Sequence, residues 1–384
     1  MWPAEPGGIG LYIHIPFCLR RCGYCGFFSQ DDASSYKTRY LAALRQQIRD
    51  VAAEYGRDGL RITTVFFGGG TPTVLPPARL ASLLAEIRSS LRVDAQAEIS
   101  IEINPATIDR SGLRQLRRAG FNRLSIGIQS LADQELARLG RAHNAAQALD
   151  AVRDGRAAGF GNLNLDLMYG LPGQDLASWQ DTLSQALSLH PEHLSVYELT
   201  IEPDTPFAAL RAADRLDLPD EESVLRMHGL ALELTRRVGL PRYEISNYAR
   251  PAHRCRHNLN YWHNGPYLGL GAGAVSFLGG RRQRAVASIR EYCRRIEENM
   301  PPWEEEETLD REGRFRETVI MGLRLIQGID PERLRARFNL DVREYYGKTM
   351  EKLLVQGLLT DSGGRLRLTG QGLLLANRVM AELV

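Results

Sequence analysis

The chain reads as an α/β protein in which parallel strands alternate with helices around a single functional face. Three observations carry that reading. Between residues 11 and 199, six short apolar runs are each followed by a helical pattern or a helix-bearing loop. Polar or glycine-rich interruptions fall at the C-terminal ends of those runs. Three of the five cysteines, Cys18, Cys22 and Cys25, lie within eight residues just after the first run.

The elements are predicted in order. Leu11 to Ile15 is a strand that delivers the cysteine loop. Tyr36 to Glu54 is a helix, with Tyr40, Leu41, Leu44, Ile48 and Val51 at helical spacing. Ile62 to Phe67 is a buried strand ending in Gly68-Gly69-Gly70-Thr71, and Arg79 to Leu91 returns as a helix after Pro76 and Pro77. The alternation continues as strand 97–102, helix 109–119, strand 123–128, helices over 132–158, strand 163–168, helix 176–189 and strand 193–199. Such alternation implies parallel strands with right-handed crossovers, in an open doubly wound sheet or a barrel, whole or partial. The barrel is favoured because Gly68 to Thr71, Glu102, Gln129, Asp166 and Thr200 are spread over five strand ends and line one mouth. A doubly wound sheet gathers its site at one switch point instead.

Beyond Leu199 the pattern loosens. Residues 220–238 read as a helix, 243–245 as a short strand, and 250–277 as a polar, aromatic and glycine-rich loop of the kind that carries function. From Phe315 three helices precede a hairpin over 357–369 with a Ser-Gly-Gly turn, a winged-helix-like order. The expected domains are a partial barrel over 1–210, a barrel-completing segment over 211–300 and a C-terminal module over 301–384. That module is only mildly basic, so packing or protein contact is favoured over nucleic-acid binding.

A net charge of +2 excludes a strong field for nucleic acid or acidic membrane. No apolar run approaches the ~18 residues of a membrane span, and the start, Met1-Trp2-Pro3, has no basic then apolar leader pattern. An odd cysteine count without paired spacings argues against a secreted disulfide framework, so the expected location is cytoplasmic.

Thiolates are soft ligands, and a C-x3-C-x2-C spacing bends one loop around one metal centre. Three cysteines on a cubane leave one iron without a protein ligand, whereas structural zinc needs a fourth ligand, for which His14 stands nearest. The spacing is similar to that of the radical S-adenosylmethionine (SAM) enzymes, in which SAM chelates the open iron of a 4Fe-4S cluster. A zinc knuckle through His14, or cysteines that merely pack, are the alternatives. Gly68 to Thr71 could present bare backbone and amides to a ligand, and Glu102 could accept from ribose hydroxyls, though each alone is an ordinary turn or strand end. Gln129, Arg141 and Asp166 are likewise ordinary singly.

The motifs taken together resemble the oxygen-independent coproporphyrinogen III oxidase family of radical SAM proteins. They are Tyr12-Ile-His-Ile-Pro-Phe, the three cysteines, Phe67-Gly-Gly-Gly-Thr-Pro-Thr73, Ile101-Glu-Ile-Asn-Pro105, Ser125-Ile-Gly-Ile-Gln-Ser130 and Asp166-Leu-Met-Tyr-Gly-Leu-Pro-Gly-Gln174, in that order. The resemblance implies a partial (β/α)6 barrel of the TIM type, with Tyr12, Gly69, Glu102 and the backbone near Thr71 against cluster-bound SAM. In members acting on coproporphyrinogen, contacts to a second SAM would fall on Tyr24, Gly70, Thr71, Gln129, Arg141, Asp166 and Thr200.

Two departures steer away from that reaction: Phe27 stands where those members have a further cysteine, and their longer N-terminal segment has no counterpart. His257-Asn-Leu-Asn-Tyr-Trp262 resembles instead the heme chaperone branch, in which the histidine is associated with heme. An imidazole ligates heme iron, and Tyr261 and Trp262 would offer flat faces to the macrocycle. A surface histidine is the bland alternative, and His253, Cys255 and His263 could form a second metal site or supply the other axial ligand. The resemblance thus implies a heme chaperone with a 4Fe-4S cluster, SAM and heme, serving an apo-hemoprotein acceptor, with a homodimer left open. The competing expectation is a radical SAM enzyme of coproporphyrinogen dehydrogenase, methyltransferase or cyclopropanase type.

Overall fold

The computed structural model describes residues 8–31, 34–56 and 59–384, so the opening Met1-Trp2-Pro3 lies outside the described residues. The first strand β1 (Ile9–Ile15) runs into β2 (Phe17–Cys18), which pairs with β3 (Gln30–Asp31) and closes the cysteine loop at its base. Helix α1 (Lys37–Tyr55) follows, then β4 (Arg61–Gly69), α2 (Pro77–Ser90), β5 (Arg92–Ile103), α3 (Arg110–Ala119) and β6 (Arg123–Gln129). Next come α4 (Asp133–Leu139), α5 (Ala145–Ala157), β7 (Leu163–Tyr169), α6 (Leu176–Ser188) and β8 (His193–Glu198). The strands β1, β4, β5, β6, β7 and β8 pair in that order, all parallel, as the alternation predicts.

Side chains alternate across each strand. The outward set, including Leu11, Val65, Ile101, Leu124, Leu165 and Leu194, is fully buried in the main core. The inward set is polar: Tyr12 and His14, Ser100 and Glu102, Arg123 and Ser125, Asn164 and Asp166, His193 and Ser195. Polar residues on the concave face of a wrapped sheet have no water to face except inside the lumen. They are satisfied there by one another, which is why they concentrate at the site.

After β8 come α7 (Pro206–Ala212), α8 (Glu221–Arg237) and β9 (Asn247–Ala249), which pairs antiparallel to β8. The short strand expected at 243–245 thus lies slightly later. The 250–277 segment, expected as a loop, is structured. It contains α9 (Arg256–Trp262), β10 (Tyr267–Leu270) and β11 (Val275–Leu278), and β10 adds a seventh parallel strand beside β1. The hairpins β11, β12 (Arg281–Ala285) and β13 (Trp303–Thr308) extend the sheet beyond β10, with α10 (Ile289–Glu297) between the last two.

A second core, from Phe315 to Leu383, is built from α11 (Arg311–Leu323), α12 (Pro331–Phe338), α13 (Val342–Val355), the hairpin β14 (Leu359–Ser362) and β15 (Arg365–Leu368), α14 (Gly370–Leu374) and α15 (Ala376–Ala381). The hairpin turns on Gly363 and Gly364, both at positive φ, which matches the right-handed twist of the flanking strands. This C-terminal body meets α9 and its flank: Arg324 lies over the Trp262 ring at 4.5 Å, and Asn264 donates to Thr318.

Candidate functional site

The cysteine loop sits at the C-terminal mouth of the sheet. Cys18, Cys22 and Cys25 are half-buried and unpaired, and burial pushes the thiols of Cys18 and Cys25 up from their ordinary value. Donors surround the sulfurs. Thr71 Oγ1 points to Cys18 Sγ at 4.0 Å and Arg141 donates to Cys22 Sγ at 3.5 Å. Ser29, 5% exposed, turns its hydroxyl toward Cys18. A buried hydroxyl aimed at the thiols suits a group with sulfur acceptors. A Cβ on Gly70 would stand 3.0 Å from Cys18 Sγ and 2.6 Å from the Phe17 carbonyl, so only glycine leaves room there. The residues fit a thiolate-held iron-sulfur cluster.

The zinc alternative is not formed. Among the described residues no three His, Cys, Asp or Glu side chains converge on a single-ion position. The His14 ring is committed elsewhere, with Nδ1 3.1 Å from the Tyr12 hydroxyl and Nε2 3.0 Å from the Phe28 carbonyl oxygen. The second metal site envisaged at His253, Cys255 and His263 is also absent. His263 is exposed, while Cys255 is buried with its Sγ donating to Glu98 at 3.6 Å.

The glycine run differs from expectation in one respect. Its amides are already used: Gly69 N donates to Glu102 at 3.2 Å, Gly70 N to the Ile15 carbonyl at 2.9 Å and Thr71 N to the Phe17 carbonyl at 2.7 Å. What the run offers a ligand is closeness, because β4 is tied to the cysteine loop through these bonds. Gly69, at φ 112°, faces the His14 ring, which a Cβ would meet at 2.6 Å.

Glu102 ends the inward face of β5. Burial, and then the charge of Asp166, push its pKa up to about 8, while the Gly69 N–H holds it down. Asp166 accepts from Ser125 at 3.1 Å and Asn164 at 2.8 Å. Arg141 also donates to the Gly127 carbonyl at 2.6 Å, which ties the β6 end to the cysteine loop, and Tyr24 packs toward Phe207. Gln129 takes a positive φ of 68° where β6 leaves the sheet, and Thr200 is exposed after β8.

Tyr12, Glu102, Asp166 and His257 line one chamber of about 190 Å³ inside the sheet. His257 closes its floor, at the end of the strands away from the cysteines. A Cβ on Gly10 would meet its ring at 3.2 Å, and eight residues of strand at ~3.3 Å each separate Gly10 from Cys18. The ring is 2% exposed; Nδ1 lies 2.8 Å from Thr64 Oγ1 and Nε2 3.0 Å from the Tyr261 hydroxyl. Burial pushes its pKa down to about 3, so the imidazole is neutral. Its backbone is fixed too. Glu98 accepts from Arg256 N, His257 N and Cys255 Sγ, capping the first turn of α9 from β5. Trp262, expected to face a macrocycle with Tyr261, is covered by Arg324 instead.

Several lumen residues were not foreseen: Glu98, Arg123, Asn164, His193 and Ser195. Glu98, Arg123 and Asn164 stand two or four residues from Glu102, Ser125 or Asp166 along an inward face, Ser195 is opposite Asp166 in register and His193 opposite Asn164, so the period-2 alternation was the available signal.

Residues 12–186 match the radical SAM superfamily and residues 309–375 the HemN C-terminal domain. The parallel sheet with three cysteines at its mouth therefore defines a radical SAM protein, a class that implies a 4Fe-4S cluster and SAM. The chain is similar along its length to heme chaperone HemW of Bacillus subtilis, at 36% identity over 96% of this chain and 97% of that one. It is 35% identical to heme chaperone HemW of Mycobacterium tuberculosis, over 100% of this chain and 96% of that one. The solved structure of the coproporphyrinogen III oxidase HemN of Escherichia coli superposes with a TM-score of 0.86 at 27% identity, covering 98% of this chain and 90% of that one. The chain belongs to the heme chaperone HemW family.

Proposed function

We propose that this protein is a cytoplasmic heme chaperone that binds heme, carries a 4Fe-4S cluster on Cys18, Cys22 and Cys25 with SAM at its open iron, and hands heme to an apo-hemoprotein. The observation that carries the proposal is collinear identity over nearly the whole chain with proteins named heme chaperones. The chamber beside His257, at about 190 Å³, is below the ~300–1,000 Å³ of pockets that take drug-sized ligands whole, so a tetrapyrrole would reach that histidine only once α9 has moved. Tyr12, Gly69, Glu102 and the Thr71 backbone are the contacts proposed for the nucleoside. The lining from Tyr24, Gly70, Gln129, Arg141, Asp166 and Thr200 completes the mouth.

His257 is the proposed heme ligand. Its neutral imidazole has the protonation state a metal needs. In the closed arrangement both ring nitrogens are hydrogen-bonded, so ligation requires the Tyr261 contact to open and the first turn of α9 to move off Glu98. The experiment is a hemin titration followed at the Soret band. Wild type develops a shifted band, and His257→Ala binds at least tenfold more weakly; equal affinity in the variant removes this ligand.

The second reading, a radical SAM enzyme acting on a porphyrin or another substrate, is favoured by the superposition on the coproporphyrinogen oxidase. Anaerobic incubation with a reductant and coproporphyrinogen III separates the two. The chaperone reading expects neither carbon dioxide nor stoichiometric 5′-deoxyadenosine, and robust formation of both would replace it.

A further inference from the structure

The lumen holds a charge that neither the cluster nor heme uses. Arg123, at the start of β6, is 2% exposed and lines the chamber between the α9 floor and the mouth. Its Nη1 donates to Asn162 Oδ1 at 2.7 Å and to the His253 carbonyl at 3.4 Å, while Nε has no acceptor. Among the described residues no carboxylate forms an ion pair with it. The acids nearby are occupied: Glu98 caps α9, and Asp166 is held by Ser125 and Asn164. Burial weighs against the guanidinium, but the neighbouring Cys255, Glu98 and Asp166 favour its charge without bonding to it, which leaves Nε open to an acceptor in the chamber. Ser100 Oγ, fully buried on the neighbouring strand, is a second polar atom without a partner.

We propose that this chamber is a binding site for a small hydroxy- or amino-carboxylic acid whose carboxylate pairs with Arg123. The opposite wall sets the other end of the ligand. Glu102 and Asp166 both line the chamber, which suits a hydroxyl or amine at that end and disfavours a second carboxylate. The wall between them is built of Ser125, Asn164 and Ser195, neutral groups that both donate and accept. A chamber of about 190 Å³ admits a molecule of a few heavy atoms with some water and excludes a tetrapyrrole. The site is separate from heme ligation at His257 in what it binds, though His257 forms part of its floor, and it lies beneath the nucleoside contacts Tyr12 and Glu102.

The test is isothermal titration of the full-length, cluster-loaded protein, without hemin or SAM, using glycolate, ethylamine and ethylene glycol as probes. Glycolate is expected to bind wild type and to bind at least tenfold more weakly in Arg123→Met, while ethylene glycol and ethylamine, which lack the carboxylate, give no saturable heat. Asn258→Phe puts a large side chain into the chamber from α9 and leaves the Arg123 side chain in place. It is expected to abolish glycolate binding, and it decides the matter if Arg123→Met does not fold. Wild type that ignores glycolate, or that takes ethylene glycol as well as glycolate, overturns the proposal, as does unchanged glycolate affinity in Asn258→Phe. Hemin binding plays no part in these titrations, so their outcome is independent of the chaperone reading.

Discussion

At the scale of single residues the site depends on side chains that occupy one another's hydrogen-bonding groups. Glu98 illustrates this: one carboxylate from β5 takes two amides and a thiol at the start of α9, a helix whose own N-cap residue, Cys255, makes no side-chain cap. Charge at a helix N-terminus and a satisfied first turn are each worth of the order of 1 kcal/mol. Glu98→Ala is therefore expected to lower unfolding free energy by about 1–3 kcal/mol in urea titration, because the amides it leaves are buried. A change below the error of the measurement would mean that α9 is held by packing alone. Glu102, Asp166 and the cysteines were legible in the sequence because they interrupt apolar runs. Arg123 and His193 were not, since a charged or polar residue at the start of a strand looks like an ordinary boundary; only the register across the sheet shows that they face inward.

At the scale of elements, legibility followed how far each element obeys an apolar period. The six core strands and their crossover helices bury an apolar face and are plain in the sequence. Helix α9 was read as loop because its inward positions, His257 and Tyr261, are polar: four apart on one face, they bond to each other across the turn. An inner face that looks into a polar lumen leaves no hydrophobic stripe to find. The strand β10 was missed because it is four residues long and is entered from α9 through Gly265 and Pro266 rather than by a long crossover. The β14–β15 hairpin was legible because Gly363 and Gly364 are the residues its turn requires. Replacing both with alanine places two Cβ atoms at positive φ, at a cost of about 1–2 kcal/mol each. The expected result is a lowered thermal midpoint for the C-terminal body with cluster content unchanged. A parallel loss of cluster would show that the two cores unfold as one.

Across the whole molecule, burial of titratable groups sets a pH dependence. His14 and His143 are pushed down to about 4 and His257 to about 3, all chiefly by burial, and His193 is lowered for the same reason. These four stay neutral in the fold, whereas the unfolded chain protonates them near pH 6.5. Their contribution is complete above pH 6.5 and is lost as pH falls toward the folded values, at up to ~1.4 kcal/mol per unit for each. Glu102, raised to about 8, and Asp166, also raised, act in the opposite sense: they favour the fold at low pH and lose that contribution as pH rises. With His228 also lowered to about 4 by burial and the buried Glu244 also raised, five histidines oppose three acids between pH 6.5 and 5, so stability is expected to fall on acidification by about 2 kcal/mol per unit. Urea midpoints at pH 7 and pH 5.5 check this, and a higher midpoint at pH 5.5 would refute the balance.

The radical SAM part of the proposed function depends on Cys18, Cys22 and Cys25 holding an iron-sulfur cluster within reach of SAM bound beside Tyr12, Gly69 and Glu102. The direct measurement is electron paramagnetic resonance of anaerobically reconstituted, reduced protein before and after SAM is added. The account predicts a cluster signal that SAM reshapes, and its loss in a Cys18→Ser, Cys22→Ser and Cys25→Ser protein. A cluster signal indifferent to SAM, or one that survives replacement of the three cysteines, would contradict it.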